Sequence, residues 1–481
     1  MSLRDLEIRV KRELSFVSYP ERDWMPRRSE ADNQVYDVVI VGGGQSGLAA
    51  AFGLIRERVT NILVLDRNPP GQEGPWTTFA RMVTLRTPKM VTGLDFGMPS
   101  ITVRAWYEAR FGADAWEQLE RLPRELWQQY LNWYRRVLDL PVENNTDVTL
   151  VAPSGDLVTL TTGDARVFRA RKVILATGID GSGRWNVPEF VSAALPPDRY
   201  AHSADAIDFQ ALAGKRVGVL GNGASAFDNA ATALEAGAAR VDLCLRKPTF
   251  PRVNAHKWME FSGFLGHYWT LSDLERWRFM RQVTSMSQPP PPDTMRRCRA
   301  FPNFKIHTGA GWQKLTMRGD DIVVETPAGT FHFDFVICGT GIINDPKIRP
   351  ELAGIAEDIA LWSDKFTPPT EEADAYLART PYLGPGFEFM GRSPEGGARL
   401  KNIHNFTYGA TLSMGLSASS ISGMKYGIPR LVTAVVGGLF RADSAYHLSS
   451  LQAYADELIT QGDFPDECDS AGEAVGSQGA G

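Results

Sequence analysis

The sequence is poor in everything that would mark a disulfide scaffold, a thiolate metal site or a membrane protein. Its 481 residues hold four cysteines, Cys244, Cys298, Cys338 and Cys468, scattered without a CxxC pair or zinc-type spacing. That pattern suits a reducing cytosol and gives no reason to expect a metal. No apolar run approaches the roughly eighteen residues a membrane helix needs, and the N-terminal MSLRDLEIRVKREL has no signal-peptide core. Neither sign of charge dominates, since 51 Lys and Arg against 56 Asp and Glu leave a net charge of -5. Such a chain has no general attraction for nucleic acid or anionic lipid. With 43% hydrophobic and 22% charged residues, most of it should fold, as two or more domains in the cytoplasm.

Glycine is abundant, at 45 residues, and two clusters of it follow buried-strand patterns. Val38, Val39, Ile40 and Val41 run directly into Gly42-Gly43-Gly44-Gln45-Ser46-Gly47, small and apolar residues follow at helical spacing, and a second buried run, 62–65, closes on Asp66. In a strand-turn-helix setting, Gly42 permits the tight turn, Gly44 lets a pyrophosphate approach the backbone, and Gly47 lets helix and strand pack closely. The helix start supplies free N–H groups to the anion, and Asp66 is placed to accept from a ribose. The arrangement recurs at Gly221-Asn222-Gly223-Ala224-Ser225-Ala226 after Val217-Gly218-Val219-Leu220. There the second strand ends in Arg246-Lys247 with no carboxylate, which favours a ribose 2′-phosphate and hence NADPH, although solvated surface charges would read the same way. Two dinucleotide folds in one chain call for a cofactor that receives the nicotinamide's hydride, and FAD in the first site is the economical choice.

The fold class expected is therefore α/β, with two Rossmann-like dinucleotide-binding domains, the FAD domain discontinuous in sequence, and a helical insertion. Strand-ending turns at Ala176-Thr177-Gly178 and Gly339-Thr340-Gly341 mark where the chain leaves the FAD domain and rejoins it. The divisions are an N-terminal extension (1–34) with one helix, a first FAD part (35–205), an NADPH domain (206–330) with its insertion at 251–300, a second FAD part (331–464) and a disordered tail (465–481). Leu126, Tyr130, Trp133, Tyr134 and Val137 fall at helical spacing, as in a helix packed on the sheet rather than an aromatic substrate box. Gln288-Pro289-Pro290-Pro291-Pro292 reads as a stiff surface connector.

These features, with the Gly74-Pro75-Trp76 turn, Leu85-Arg86-Thr87-Pro88-Lys89, His202-Ser203 and Ser413-Met414-Gly415-Leu416-Ser417, make residues 35 to 430 resemble the class B flavin-dependent monooxygenases. Within them the chain looks nearest to a bacterial branch of urate hydroxylase-like and aspartate N-monooxygenase-like proteins. The resemblance implies that NADPH reduces FAD and that a flavin C4a-hydroperoxide passes oxygen to a small substrate, the partners being that substrate and O2, with no nucleic acid and no membrane. Trp76, Thr177, Ser225, Thr340, Gly341 and Ser413 join the cofactor contacts on this basis. His202, Ser203 and Asn222 become candidates for holding the nicotinamide side, and His404, Asn405, Tyr408 and Ser417 for the flavin's pyrimidine end. The family fingerprint FxGxxxHxxx(Y/W) survives only as its histidine, with Pro196, Asp198 and Ala206 at the other positions, which weakens Baeyer–Villiger chemistry. Arg86 stands where flavin-containing monooxygenases carry an asparagine. It is suited to a substrate carboxylate or acidic heterocycle, and equally to an FAD phosphate or a structural acid. N-hydroxylation of a small polar substrate is the leading expectation, with ring hydroxylation of a urate-like heterocycle or S-oxidation as alternatives. A disulfide reductase lacks its cysteine pair, and a non-catalytic scaffold would not need both fingerprints.

Overall fold

β-Branched residues on both faces make Val35–Val41 a central strand, covered on each side by other elements. In the computed structural model, which describes residues 1–17, 22–26, 35–90, 92–418 and 420–459, it pairs in parallel with Ile62–Leu65 and Val167–Leu175. The strand order across the first sheet is Val142–Glu143, Ile62–Leu65, Val35–Val41, Val167–Leu175, Leu157–Thr162, Val148–Ser154, the last two antiparallel. The far half of Val167–Leu175 takes one more parallel neighbour, Ile403–Asn405. This sheet is therefore discontinuous in sequence, and Rossmann-like as expected.

The second sheet is parallel throughout, in the order Phe304–His307, Arg240–Cys244, Arg216–Leu220, Phe335–Cys338, Tyr200–His202. Its last two strands correct the expected boundaries. Tyr200–His202 falls in 35–205 and Phe335–Cys338 in 331–464, both expected in the FAD domain, yet both complete the nucleotide sheet. The first sheet is re-entered only at Ile403. Where the chain passes between sheets, outward at Gly183–Trp185 and back at Ile342–Asn344, the two passages pair with each other as an antiparallel ribbon. A three-stranded antiparallel sheet, Lys314–Arg318, Asp321–Thr326 and Gly329–Phe333, packs beside the second fold.

The insertion is helical, with Ala255–Met259, Ser262–His267, Asp273–Met286 and Pro292–Arg299. The longest of these opens on a capping box of Ser272 and Glu275. The N-terminal helix Leu3–Phe16 also starts with a capping box, and it buries Leu6 and Val10. Its Glu7 pairs with Arg136 at 2.6 Å and accepts from Trp133 at 3.1 Å, docking it on the aromatic helix Arg124–Val137. That helix is a packing element: Tyr130 and Tyr134 are buried and donate their hydroxyls to the carbonyls of Ile101 and Leu94. Residues 1–437 form one compact unit holding both dinucleotide folds, and the chain from Gly438 forms a second, which contains the helix Ser444–Gln452. The expected disordered tail, 465–481, lies outside the described residues. Among the described residues no helix is long and apolar enough to cross a membrane.

Candidate flavin and substrate cavity

At the carboxyl end of the first sheet the turn after Val41 opens on a cavity of about 1060 Å3, at the top of the ~300–1,000 Å3 range of small-molecule sites. Gly42, Gly44, Asp66, Trp76, Arg86 and Thr177 all line it. The three fingerprint glycines are distinct in geometry. Gly42 has φ +107°, and a Cβ there would stand 2.6 Å from the Ala176 carbonyl oxygen, while a Cβ on Gly47 would fall 1.9 Å from the oxygen of Gly42. Gly44 is open, its nearest neighbour being Gly74 Cα at 3.8 Å, and it caps the helix Gln45–Arg56 with no side-chain hydrogen bond. The helix start therefore presents N–H groups to the cavity. Asp66 is buried and accepts from the amides of Gly43 at 2.7 Å and Asn68 at 2.8 Å, leaving each oxygen a lone pair for a ribose. Burial raises its carboxyl above the usual range against those two bonds. An uncapped helix start, an open glycine and a carboxylate with spare acceptors fit FAD.

The opposite wall comes from the insertion, through Phe250, Asn254, His256, Lys257, Glu260 and Met295 together with residues 288–292. Apart from the proline run, none of these stood out in the sequence. The proline run read as a surface connector is in fact cavity wall, and Pro290 is buried. Burial, helped by the charge of Arg86, lowers His256 below the usual histidine range, and burial raises Glu260. Arg86 bonds Asp228 at 2.8 Å, so of its expected partners the structure supplies the protein acid.

The second turn repeats the first in outline. Gly221 has φ +150° and no room for a Cβ, 2.3 Å from the Gly339 oxygen, whereas Gly223 has nothing within 4 Å. Gly223 begins the helix Ala224–Glu235 without a side-chain cap, and Ser225 beside it is exposed. Arg246 is exposed and has no ion pair among the described residues, while Lys247 is drawn to the Ser285 carbonyl and to Ser287 Oγ. Asn222 also reaches Ser287, at 3.2 Å.

Of the three residues expected to be catalytic, only Arg86 lines the cavity. His202 is 1% exposed, its ring stacked on Trp185 at 5.0 Å, with Nδ1 accepting from the Ala204 amide. Burial lowers its pKa. Thr340 and Gly341 bond Asn186 at the crossing ribbon. The expected cofactor contact at Ser413 is corrected: its hydroxyl accepts from Trp362 and Leu383 and donates to Pro381, fully enclosed. Tyr408 does line the cavity. His404 instead bonds the Gly386 carbonyl, Asn405 accepts from Thr407, and Ser417 donates to Met414. Cys244, Cys298 and Cys338 are buried and free, with thiols pushed by burial up to about 11, 12 and 12 respectively, and none lines the cavity.

Residues 39–261 match the family model described as pyridine nucleotide-disulphide oxidoreductase. Among solved structures, the ornithine hydroxylase of Pseudomonas aeruginosa superposes with a TM-score of 0.65 at 16% identity, over 84% of this chain and 100% of that one. The ornithine N-hydroxylase of Kutzneria, solved with reduced FAD, NADP+ and L-ornithine, does so at 0.64 and 18%, over 83% and 99%. At such identity the likeness is one of fold. The FAD-dependent urate hydroxylase of Xanthomonas campestris is 45% identical over 97% of this chain and 98% of its own length. End-to-end identity of that order, over a cavity whose walls fit FAD, makes the chain a member of the urate hydroxylase family of FAD-dependent monooxygenases.

Proposed function

We propose that the chain hydroxylates a ring carbon of urate or a closely related oxidised purine, consuming one NADPH and one O2 and releasing water. The observation that supports this most is the identity of 45% along nearly the whole chain to a urate hydroxylase. Amine N-hydroxylation, the leading expectation from sequence, has beside it only a likeness of fold, to ornithine hydroxylases at 16% and 18% identity.

When bound, the flavin supplies hydride acceptance and oxygen activation. The chain's own residues bind, orient and enclose. Gly42, Gly44 and the first helix start hold the pyrophosphate, Asp66 holds the ribose, and Gly221, Gly223 and Ser225 receive the nicotinamide dinucleotide. Arg246 reads its 2′-phosphate. The insertion wall, with Asn254, His256, Lys257 and Glu260, faces the substrate with donors and acceptors suited to a flat heterocycle and keeps water from the reacting face.

The test is NADPH oxidation by FAD-loaded protein, scored for hydroxylated product against hydrogen peroxide, over urate, xanthine, ornithine, lysine and cadaverine. Product from urate, one per NADPH, is expected. Product from an amine alone would replace this function with N-hydroxylation, and peroxide alone from every compound would overturn oxygenation of either kind. Arg246→Ala should weaken NADPH about ten- to a hundredfold, the loss of one charge-assisted hydrogen bond of ~1.5–3 kcal/mol, and leave NADH nearly unchanged. Binding titrations with the two nucleotides decide it.

A further inference from the structure

One ion pair, with its carboxylate buried, joins three parts of the molecule at the cavity. Arg86 belongs to the first fold. Asp228 sits on Ala224–Glu235, the helix that starts at the second dinucleotide turn. The other oxygen of Asp228 accepts from Thr294 Oγ1 at 2.8 Å, on the insertion helix Pro292–Arg299. Arg297 stands 4.0 Å from the same carboxylate and forks onto Glu235 at 2.8 Å.

The contact between Arg86 and Asp228 is made at one point. The fork geometry of a guanidinium allows one carboxylate to take both Nε and Nη2. Here only Nη2 is engaged, at 2.8 Å; Nε is enclosed without a hydrogen-bond partner, and Nη1 has no partner either among the described residues. The Arg86 side chain keeps 27% exposure against 3% for Asp228, and Arg86 lines the cavity. Its backbone is held as well, the carbonyl accepting from Arg121 at 3.0 Å. Asp228 thus fixes the guanidinium by one corner and leaves Nη1 uncommitted.

We infer that Asp228 is a positioning residue for substrate: it holds Arg86 so that the free part of the guanidinium takes the carbonyl oxygens or anionic charge of a planar heterocycle. The substrate site is thereby tied to the helix that begins at the nucleotide turn. This inference rests on the purine function for its ligand and on the ion pair for its geometry.

The experiment compares wild type with Asp228→Asn, Asp228→Glu and Arg86→Lys, all FAD-loaded. Arg86→Lys keeps the charge and loses the fork, so it serves should Asp228→Asn fail to fold. Flavin content and melting temperature report structure. Ligand binding is read from the oxidised flavin's absorbance change and turnover from product, over urate, xanthine, ornithine, lysine and cadaverine. Asp228→Asn and Arg86→Lys should raise the KM for urate about tenfold or more and change kcat less than about twofold. Asp228→Glu should recover part of that loss. Unchanged KM in both variants, with or without a lower melting temperature, overturns the inference, as does a rise in Arg86→Lys alone from a folded Asp228→Asn. If wild type perturbs its flavin and turns over only an amine, the purine function fails while the same KM comparison on that amine still decides the pair. If no compound perturbs the wild-type flavin, both fall.

Discussion

At the residue scale, a single Cβ atom separates two uses of glycine in one turn. Gly44→Val places a side chain where the nearest protein atom is 3.8 Å away, so the chain should fold normally and purify without flavin absorbance. Gly47→Ala sets a methyl 1.9 Å from the Gly42 oxygen, beyond what repacking absorbs. It should cost upward of ~3 kcal/mol and show as a lower unfolding midpoint in urea. The fingerprint made both positions readable from sequence, because spacing encodes backbone geometry directly. Asp228 was not readable: it lies two residues past the motif, and its meaning depends on Arg86, 142 positions away. His404 adds a pH dependence. Burial holds it at about 4, against an ordinary 6.5, despite its bond to the Gly386 carbonyl. The unfolded chain therefore takes up this proton first. The stability His404 contributes is whole above pH 6.5 and is lost as pH falls to about 4, at about 1.4 kcal/mol per unit and ~3 kcal/mol in all. His404→Gln should flatten that part of the stability curve in denaturant titrations run from pH 7 to 4.

Elements were legible where one physical rule governed them. The two strand-turn-helix units and the aromatic helix followed from periodicity. The membership of Tyr200–His202 and Phe335–Cys338 did not, since a three- or four-residue strand carries no pattern that names its sheet. The proline run was misplaced for a similar reason: stiffness is visible in sequence, but what a stiff segment lies against is not. Its approach is set by Ser287, which ends the helix Asp273–Met286 at φ 60°, ψ 150°, a region nearly reserved for glycine that costs ~1–3 kcal/mol elsewhere. Two bonds to its hydroxyl, from Lys247 at 3.1 Å and Asn222 at 3.2 Å, help to hold it there. Ser287→Ala loses those bonds and keeps the strain, whereas Ser287→Gly loses the bonds and the strain together. Thermal melts should place Ser287→Ala below Ser287→Gly, by ~1 kcal/mol or more.

For the whole molecule, the ordering of the two sheets along the chain has a consequence at the ribosome. Parallel neighbours cannot be joined by a tight turn, because the chain must return to the starting end before it can run alongside itself. Val167–Leu175 and Ile403–Asn405 are such neighbours, and the connection between them is the entire nucleotide fold with its insertion and flanks. The first sheet therefore emerges early and waits for its final strand. At about 5–20 residues per second the wait is roughly ten to fifty seconds. Throughout it, the apolar edge at Val173, Ile174 and Leu175 stands open, the kind of unpaired edge that recruits strands from other chains. Chains ended before residue 403 should accumulate as aggregate where chains ended after the helix Ile421–Ala442, whose Met424, Ile428, Leu431 and Val435 complete the core, do not, measurable as the soluble fraction of nested C-terminal truncations. Slowing synthesis across the nucleotide fold should lengthen the exposure and lower the yield of full-length protein without altering a single native contact.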